Sequence, residues 1–105
     1  MTDPSLPLPQ IDPLVHEPAR LRVLSLLAMV ERGDFMYVLR QTGLSRGNLS
    51  VQMGRLESAG MVLMERHLEG SRPRTTYRLS ESGLDALRAY KRTMETLLAP
   101  LPGGS

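Results

Sequence analysis

The hydrophobic residues between positions 18 and 60 recur at intervals of three and four, which predicts three successive helices. Pro18 suits the first position of the first helix, because its missing amide hydrogen would have no partner there. Asp34 and Ser45 are good N-cap residues for the second and third helices. A glycine follows each helix and is typical of a helix end: Gly33, Gly43 and Gly60.

From residue 62 the periodicity changes from that of a helix to that of a strand. Val62 and Met64 lie two residues apart, as on one face of a strand, and residues 75–79 are rich in β-branched and aromatic side chains. Residues 70–74 between them are typical of a turn. We therefore predict a β-hairpin with a basic tip.

A last helix is predicted from its N-cap, Ser80, to about Ala99. Its apolar residues exceed what one small core can cover, so residues 80–99 are a candidate dimerisation helix. A monomer that packs this helix on itself is the alternative. The predicted interface consists of Leu14, Val15, Leu87, Tyr90, Met94, Leu97 and Leu98.

Proline and glycine are concentrated at both ends of the chain. Residues 1–13 hold four of the eight prolines and are predicted to be a flexible arm, and residues 100–105 a flexible tail. The domain between them spans residues 14–99. Its predicted fold class is mainly α with a small β-hairpin (α+β), in the order helix, helix, helix, strand, strand, helix.

Composition excludes several classes of function. The absence of cysteine excludes disulfides, thiolate metal sites and thiol nucleophiles, and it is compatible with a cytoplasmic location. The longest apolar run, residues 26–30, is far shorter than the ~20 residues of a membrane span, so no membrane partner is expected. His16 and His67 are too few for a metal site, and no catalytic or phosphate-binding motif is present. We therefore expect no enzyme activity and no cofactor.

Two helices joined by the turn at residues 42–44 and followed by a hairpin form the plan of a winged helix-turn-helix. Three segments, LSRGNLS (44–50), RLESAGMV (55–62) and GSRPRTTYRL (70–79), resemble the MarR/ArsR-type winged-helix transcriptional regulators. The resemblance extends over about residues 14–92. It implies a homodimer that binds a pseudo-palindromic operator in double-stranded DNA.

The helix predicted at residues 45–59 is the candidate recognition helix. With Leu49, Met53 and Leu56 packed inward, its opposite side is small and polar, as close approach to a major groove requires. The candidate DNA-contacting residues on this helix are Ser45, Arg46, Gly47, Asn48, Ser50, Val51, Gln52 and Arg55.

Four positions on this helix either allow two interpretations or depart from the family pattern. Asn48 could bond an adenine edge or be a polar surface residue, and Val51 could contact a thymine methyl or be merely exposed. Gln52 stands where the family usually has histidine, and it can still bond a phosphate or an adenine edge. Met53 stands where leucine is usual and is a volume-conserving core substitution.

The predicted wing covers residues 70–75, where Pro73 stiffens the tip between two arginines. We expect it to contact the flanking groove or the DNA backbone. The candidate wing residues are Ser71, Arg72, Arg74 and Thr75. Arg78 lies inside the second strand and could instead pair with Glu65. Five methionines are predicted to fill gaps in the core: Met29, Met36, Met53, Met61 and Met64.

The distribution of charge is more informative than the net charge of +2. Residues 40–78 hold seven arginines and three glutamates, a net charge of +4, whereas the rest of the chain carries −2. Twelve of the thirteen basic residues are arginine, which favours planar recognition of phosphates and base edges, although high-GC codon usage produces the same bias.

The predicted function is therefore a sequence-specific regulator of transcription, a dimeric repressor that binds double-stranded DNA. The alternative is a winged helix that serves as a protein-interaction module, its basic surface binding an acidic partner. The sequence leaves a small-molecule effector open.

Overall fold

The computed structural model describes residues 7–103, and its elements follow the predicted order. They are α1 (Pro18–Met29), α2 (Phe35–Thr42), α3 (Arg46–Ser58), β1 (Val62–Glu69), β2 (Arg72–Leu79) and α4 (Glu81–Leu98). The fold is mainly α with one antiparallel hairpin, as predicted. Residues 1–6 of the predicted arm and 104–105 of the predicted tail lie outside the described residues. No helix within 7–103 is long and apolar enough to cross a membrane.

The helix caps confirm the predicted boundaries of α2, α3 and α4. The side chains of Asp34, Ser45 and Ser80 each accept a hydrogen bond from a backbone amide in the first turn of their helix. Gly43 ends α2 in the left-handed conformation, with a φ of 71° that favours glycine. These short-range signals position the start of α3 directly after a tight turn.

The end of α1 differs from the prediction. The helix stops at Met29, and Gly33 instead forms an isolated β-bridge with Tyr77, near the C-terminal end of β2. The Gly33 amide donates to the Tyr77 carbonyl at 3.0 Å, and the Tyr77 amide donates to the Gly33 carbonyl at 2.8 Å. The connection between α1 and α2 is therefore bonded to the hairpin.

The hairpin turn is shorter than predicted. The strands pair from Val62 opposite Leu79 to Glu69 opposite Arg72, which leaves a two-residue turn at 70–71. Residues 72–74, predicted as turn, belong to β2. Pro73 is tolerated there because both strands of a two-stranded sheet are edge strands.

The core is built around α1, which contacts the other three helices and β2. As predicted, α3 packs against it through Leu49, Met53 and Leu56. The buried cluster consists of Val15, Val23, Leu24, Leu26, Leu27, Val38, Leu49, Met53, Leu56, Met61 and Val62.

The prediction for the methionines is only partly correct. Met53 and Met61 are buried, whereas Met29, Met36 and Met64 are exposed. Met29 is the last residue of α1 and is 78% exposed, and Met64 lies on the hairpin beyond the buried Val62, where no second layer covers it. Regular spacing alone did not distinguish these exposed positions from core positions.

Candidate nucleic-acid interface

The exposed side of α3 and its N-cap carries seven of the eight residues predicted to contact DNA. They are small, polar or cationic, apart from Val51, and the side chains project away from the core: Ser45, Arg46, Gly47, Asn48, Ser50, Val51 and Arg55. The exposed positions from 46 to 55 include no carboxylate. This side of the helix therefore suits close approach to a polyanion.

Gln52 is placed differently from the prediction. The residue is only 9% exposed, and both ends of its amide are bonded within the protein. Its Oε1 accepts from Arg20 Nη1 at 2.8 Å, and its Nε2 donates to Asn48 Oδ1 at 3.0 Å. The predicted direct contact of Gln52 with DNA therefore does not fit the structure, because the amide is turned into the domain.

Arg20 was not identified from the sequence, yet its buried guanidinium joins three segments. Its Nε donates to the Leu14 carbonyl at 2.6 Å, and its Nη2 donates to the Pro13 carbonyl at 3.4 Å. Together with the bond to Gln52, these contacts attach the segment before α1 to the interior side of α3. A polar residue in the first turn of an otherwise apolar helix face is the only sequence signal for this role.

Glu17 supports the same cluster as the N-cap of α1. Its carboxylate accepts from the backbone amides of Arg20 and Ala19 at 2.9 and 3.1 Å. These bonds lower the pKa of Glu17 below its ordinary value, partial burial opposes the shift, and the nearby Arg20 charge adds to it.

The two wing arginines have different surroundings. Arg74 pairs with Asp34 at 2.5 Å and with Glu69 at 3.3 Å, so its charge is already matched within the domain. Arg72 is exposed, and no carboxylate of the described residues lies within 4.0 Å of it. Arg74 thus attaches the wing to the N-cap of α2, whereas Arg72 presents a free guanidinium.

The other predicted hairpin residues are placed as follows. Ser71 is exposed in the turn, and Thr75 is half-buried in β2. Arg78 pairs with Glu65 at 2.7 Å, which confirms the predicted cross-strand ion pair. The arginines on the α3 side that lack such a partner among residues 7–103 are Arg46 and Arg55.

A separate apolar groove runs between α1 and α4. It has a volume of about 600 Å³ and is lined chiefly by Leu21, Leu84, Leu87, Tyr90, Met94 and Leu98. Leu87, Tyr90, Met94 and Leu97 are half-buried, and Leu98 is 52% exposed. The predicted interface residues on α4 therefore lie on a surface that residues 7–103 leave uncovered.

The two predicted interface residues before α1 are placed differently from those on α4. Leu14 is half-buried, but Val15 is 0% exposed and belongs to the core of this chain. Val15 therefore cannot contribute to a surface, and its predicted place in an interface is wrong.

Residues 19–98 match a family model described as the winged helix DNA-binding domain. None of the curated proteins compared with the chain matches it. A solved transcriptional regulator homologue from Pyrococcus horikoshii OT3 has 21% identity and a TM-score of 0.75 over 82% of this chain and 85% of that one.

Two further solved structures agree in fold. The PcaV transcriptional regulator from Streptomyces coelicolor, solved with its natural ligand, has 26% identity and a TM-score of 0.67, over 89% of this chain and 67% of that one. A MarR-family transcriptional regulator from Silicibacter pomeroyi has 15% identity and a TM-score of 0.59, over 85% and 62% of the two chains. The resemblance seen in the sequence motifs is thereby confirmed.

Proposed function

We propose that this chain, which belongs to the winged helix DNA-binding domain family, is a cytoplasmic, dimeric repressor that binds a specific sequence in double-stranded DNA. The main support is the exposed side of α3, which combines small residues with two arginines that form no ion pair within 4.0 Å among residues 7–103. Such a surface attracts phosphates and admits the helix into a major groove.

The residues at the start of α3 are suited to fix the helix on the DNA backbone. Ser45 caps the helix, and the backbone amides of its first turn point toward any phosphate placed there. Gly47 adds no side chain, and Arg46 and Arg55 lie on either side of the polar surface. Asn48, Ser50 and Val51 then project toward base edges.

The wing supplies a second contact. Arg72 lies next to the turn of the hairpin with its guanidinium free, while Ser71 adds a hydroxyl at the turn itself. We assign Arg72 to a phosphate or to the adjacent minor groove. Arg74 and Thr75 support this contact from within β2.

The uncovered groove between α1 and α4 supports a homodimer. A second copy of α4 would cover the apolar side chains of Leu87, Tyr90, Met94, Leu97 and Leu98. Leu14 does not line this groove, because it lies beside α3 with Val51 and Arg55. In a two-fold dimer, the two copies of α3 would enter successive major grooves, and the half-sites would be about 10–10.5 base pairs apart or a multiple of that.

Selection of bound sequences from a random duplex pool tests this function. We expect enrichment of a pseudo-palindrome, and binding whose logarithm falls with log salt by about 0.9 for each phosphate contacted. Absence of both enrichment and salt dependence would contradict DNA binding and favour the protein-interaction module.

A further inference from the structure

A chain of hydrogen bonds runs from the interior of the domain to the exposed side of α3. Buried Arg20 donates to Gln52 Oε1 at 2.8 Å, and Gln52 Nε2 donates to Asn48 Oδ1 at 3.0 Å. Gln52 and Asn48 are one helical turn apart, so the chain ends on a residue at the surface.

The direction of these bonds follows from the chemistry of Arg20. A guanidinium carries only donors, so the Gln52 atom that faces it is the oxygen. The Gln52 amino group then faces Asn48, and the Asn48 atom that meets it is also an oxygen. The permanent charge of Arg20 thus determines the orientation of two successive amides.

The outer group of Asn48 is consequently its Nδ2 amino group. A bidentate contact with adenine needs both a donor and an acceptor on the outer edge of the amide. Here one lone pair of the Asn48 oxygen already accepts from Gln52, so the group left fully available on the outer edge is the amino donor. The orientation therefore fixes a donor at the surface, and a bidentate adenine contact would depend on the second lone pair of the oxygen.

We propose that Arg20 and Gln52 are positioning residues that make Asn48 a hydrogen-bond donor, selective for a base with acceptors in the major groove. Guanine (N7 and O6), thymine (O4) and adenine (N7) present such acceptors, whereas cytosine presents only a donor there. The proposal rests on the proposed function, because it requires that Asn48 faces DNA.

The Gln52→Glu variant tests the direction of the bonds. A glutamate accepts from Arg20 but cannot donate to Asn48, so the Asn48 amide must turn its amino group inward and its oxygen outward. The preference should then shift toward cytosine, whose N4 offers a donor and no acceptor in the major groove. The opposite charge of Arg20 stabilises the new carboxylate, which protects the fold.

The experiment compares four proteins in the random-duplex selection: the wild type, Asn48→Ala, Gln52→Glu and the control Gln41→Glu. Gln41 is exposed on α2, so its variant adds the same charge without touching the hydrogen-bond chain. Asn48→Ala should reduce the preference at one position of each half-site by about fivefold, the size of one net hydrogen bond. Gln52→Glu should change the base at that same position, and Gln41→Glu should not.

Three results would overturn the inference. These are an unchanged base in Gln52→Glu, an unchanged profile in Asn48→Ala, and a change of base in Gln41→Glu. Failure of the wild type to enrich any sequence would instead overturn the proposed function and remove the basis of this inference with it.

A measurement without DNA tests the same bonds. Side-chain amide exchange by NMR should show the Gln52 amino protons protected and those of Asn48 rapidly exchanging. In Gln52→Glu, exchange at Asn48 should slow by about fivefold, since a proton there becomes bonded to the carboxylate. Equal exchange at Asn48 in both proteins would contradict the proposed orientation.

Discussion

The two serine-capped helices α3 and α4 bury their apolar sides to very different extents. In α3, Leu49, Met53 and Leu56 are almost fully enclosed by the same chain. In α4, Gly83 is the only buried residue, and the apolar side chains that follow are half-buried or exposed.

A helix side that packs within the chain and a helix side that binds a partner produce the same pattern in the sequence. An apolar side that is closed within the chain fixes a helix in place and leaves its opposite surface free for a ligand. An apolar side that remains exposed favours binding of a partner, because large contiguous apolar surfaces are uncommon on monomers. Periodicity identifies the apolar side of each helix, but it does not show what covers it.

The largest expected effect is on the closed side of α3. Leu49→Ala removes a fully buried side chain, so unfolding should become easier by about 3 kcal/mol, through lost burial and the cavity left behind. Urea unfolding at two protein concentrations measures this loss. The loss should be the same at both, since the contact lies within one chain; a loss that grows on dilution would place Leu49 in an interface.

A charge on the exposed apolar side of α4 should break the proposed dimer. Met94→Glu places a carboxylate in the groove, so light scattering after size exclusion should give a mass near the 11.7 kDa of one chain. The wild type should give twice that mass at micromolar concentration. Ala89→Glu is the control, because Ala89 is exposed on α4 and does not line the groove. A wild type that elutes as a monomer would refute the dimer.

The two wing arginines should differ in a salt titration. Arg72→Ala should weaken binding to any duplex by about tenfold at 0.1 M salt and reduce the salt slope by about 0.9, the effect of one lost phosphate contact. Arg74→Ala should weaken binding without changing the slope, because its charge is matched by Asp34 and Glu69. Fluorescence anisotropy at several salt concentrations measures both. Equal changes of slope would mean that the ion pairs of Arg74 open on DNA.

The smallest effect concerns α1, the common support of α3 and α4. Glu17→Gln should cost about 1 kcal/mol of stability at pH 7, as expected for a weakened N-cap. The pKa of Glu17 is lowered in the folded state, so its contribution is complete above the ordinary value of 4.5 and is lost as the pH falls through the lowered pKa.

Thermal unfolding of both proteins between pH 7 and pH 3 checks this sign. The stability difference between wild type and Glu17→Gln should shrink toward acid. A difference that stays constant or grows would show that the charge of Glu17 contributes nothing to the cap.

The order of elements could be predicted because its signals are local. N-cap side chains at Asp34, Ser45 and Ser80 and the glycine at position 43 act within a few residues of where they stand. The cross-strand pair of Arg78 and Glu65 follows from the hairpin itself. Such features need no knowledge of the tertiary structure.

The interior position of Gln52 depends on a partner 32 residues away, and no local rule pairs it with Arg20. A signal was nevertheless present. Leu49, Gln52, Met53 and Leu56 follow the spacing i, i+3, i+4, i+7, so Gln52 occupies an apolar stripe in spite of its polarity. The pairing of Arg74 with Asp34 spans 40 residues, and no comparable signal for it is present in the sequence.

The paired amides and carbonyls of Gly33 and Tyr77 have a mechanical consequence. These hydrogen bonds attach the base of the wing to the loop that leads into the helix-turn-helix. The ion pair of Arg74 with Asp34 is a second attachment, nearer the tip of the wing. Because it is attached at two places, the wing has little freedom to move relative to the helix-turn-helix. In the proposed complex, the DNA would have to deform to fit the domain, and the flexibility of base steps between the contacted positions would contribute to sequence selection.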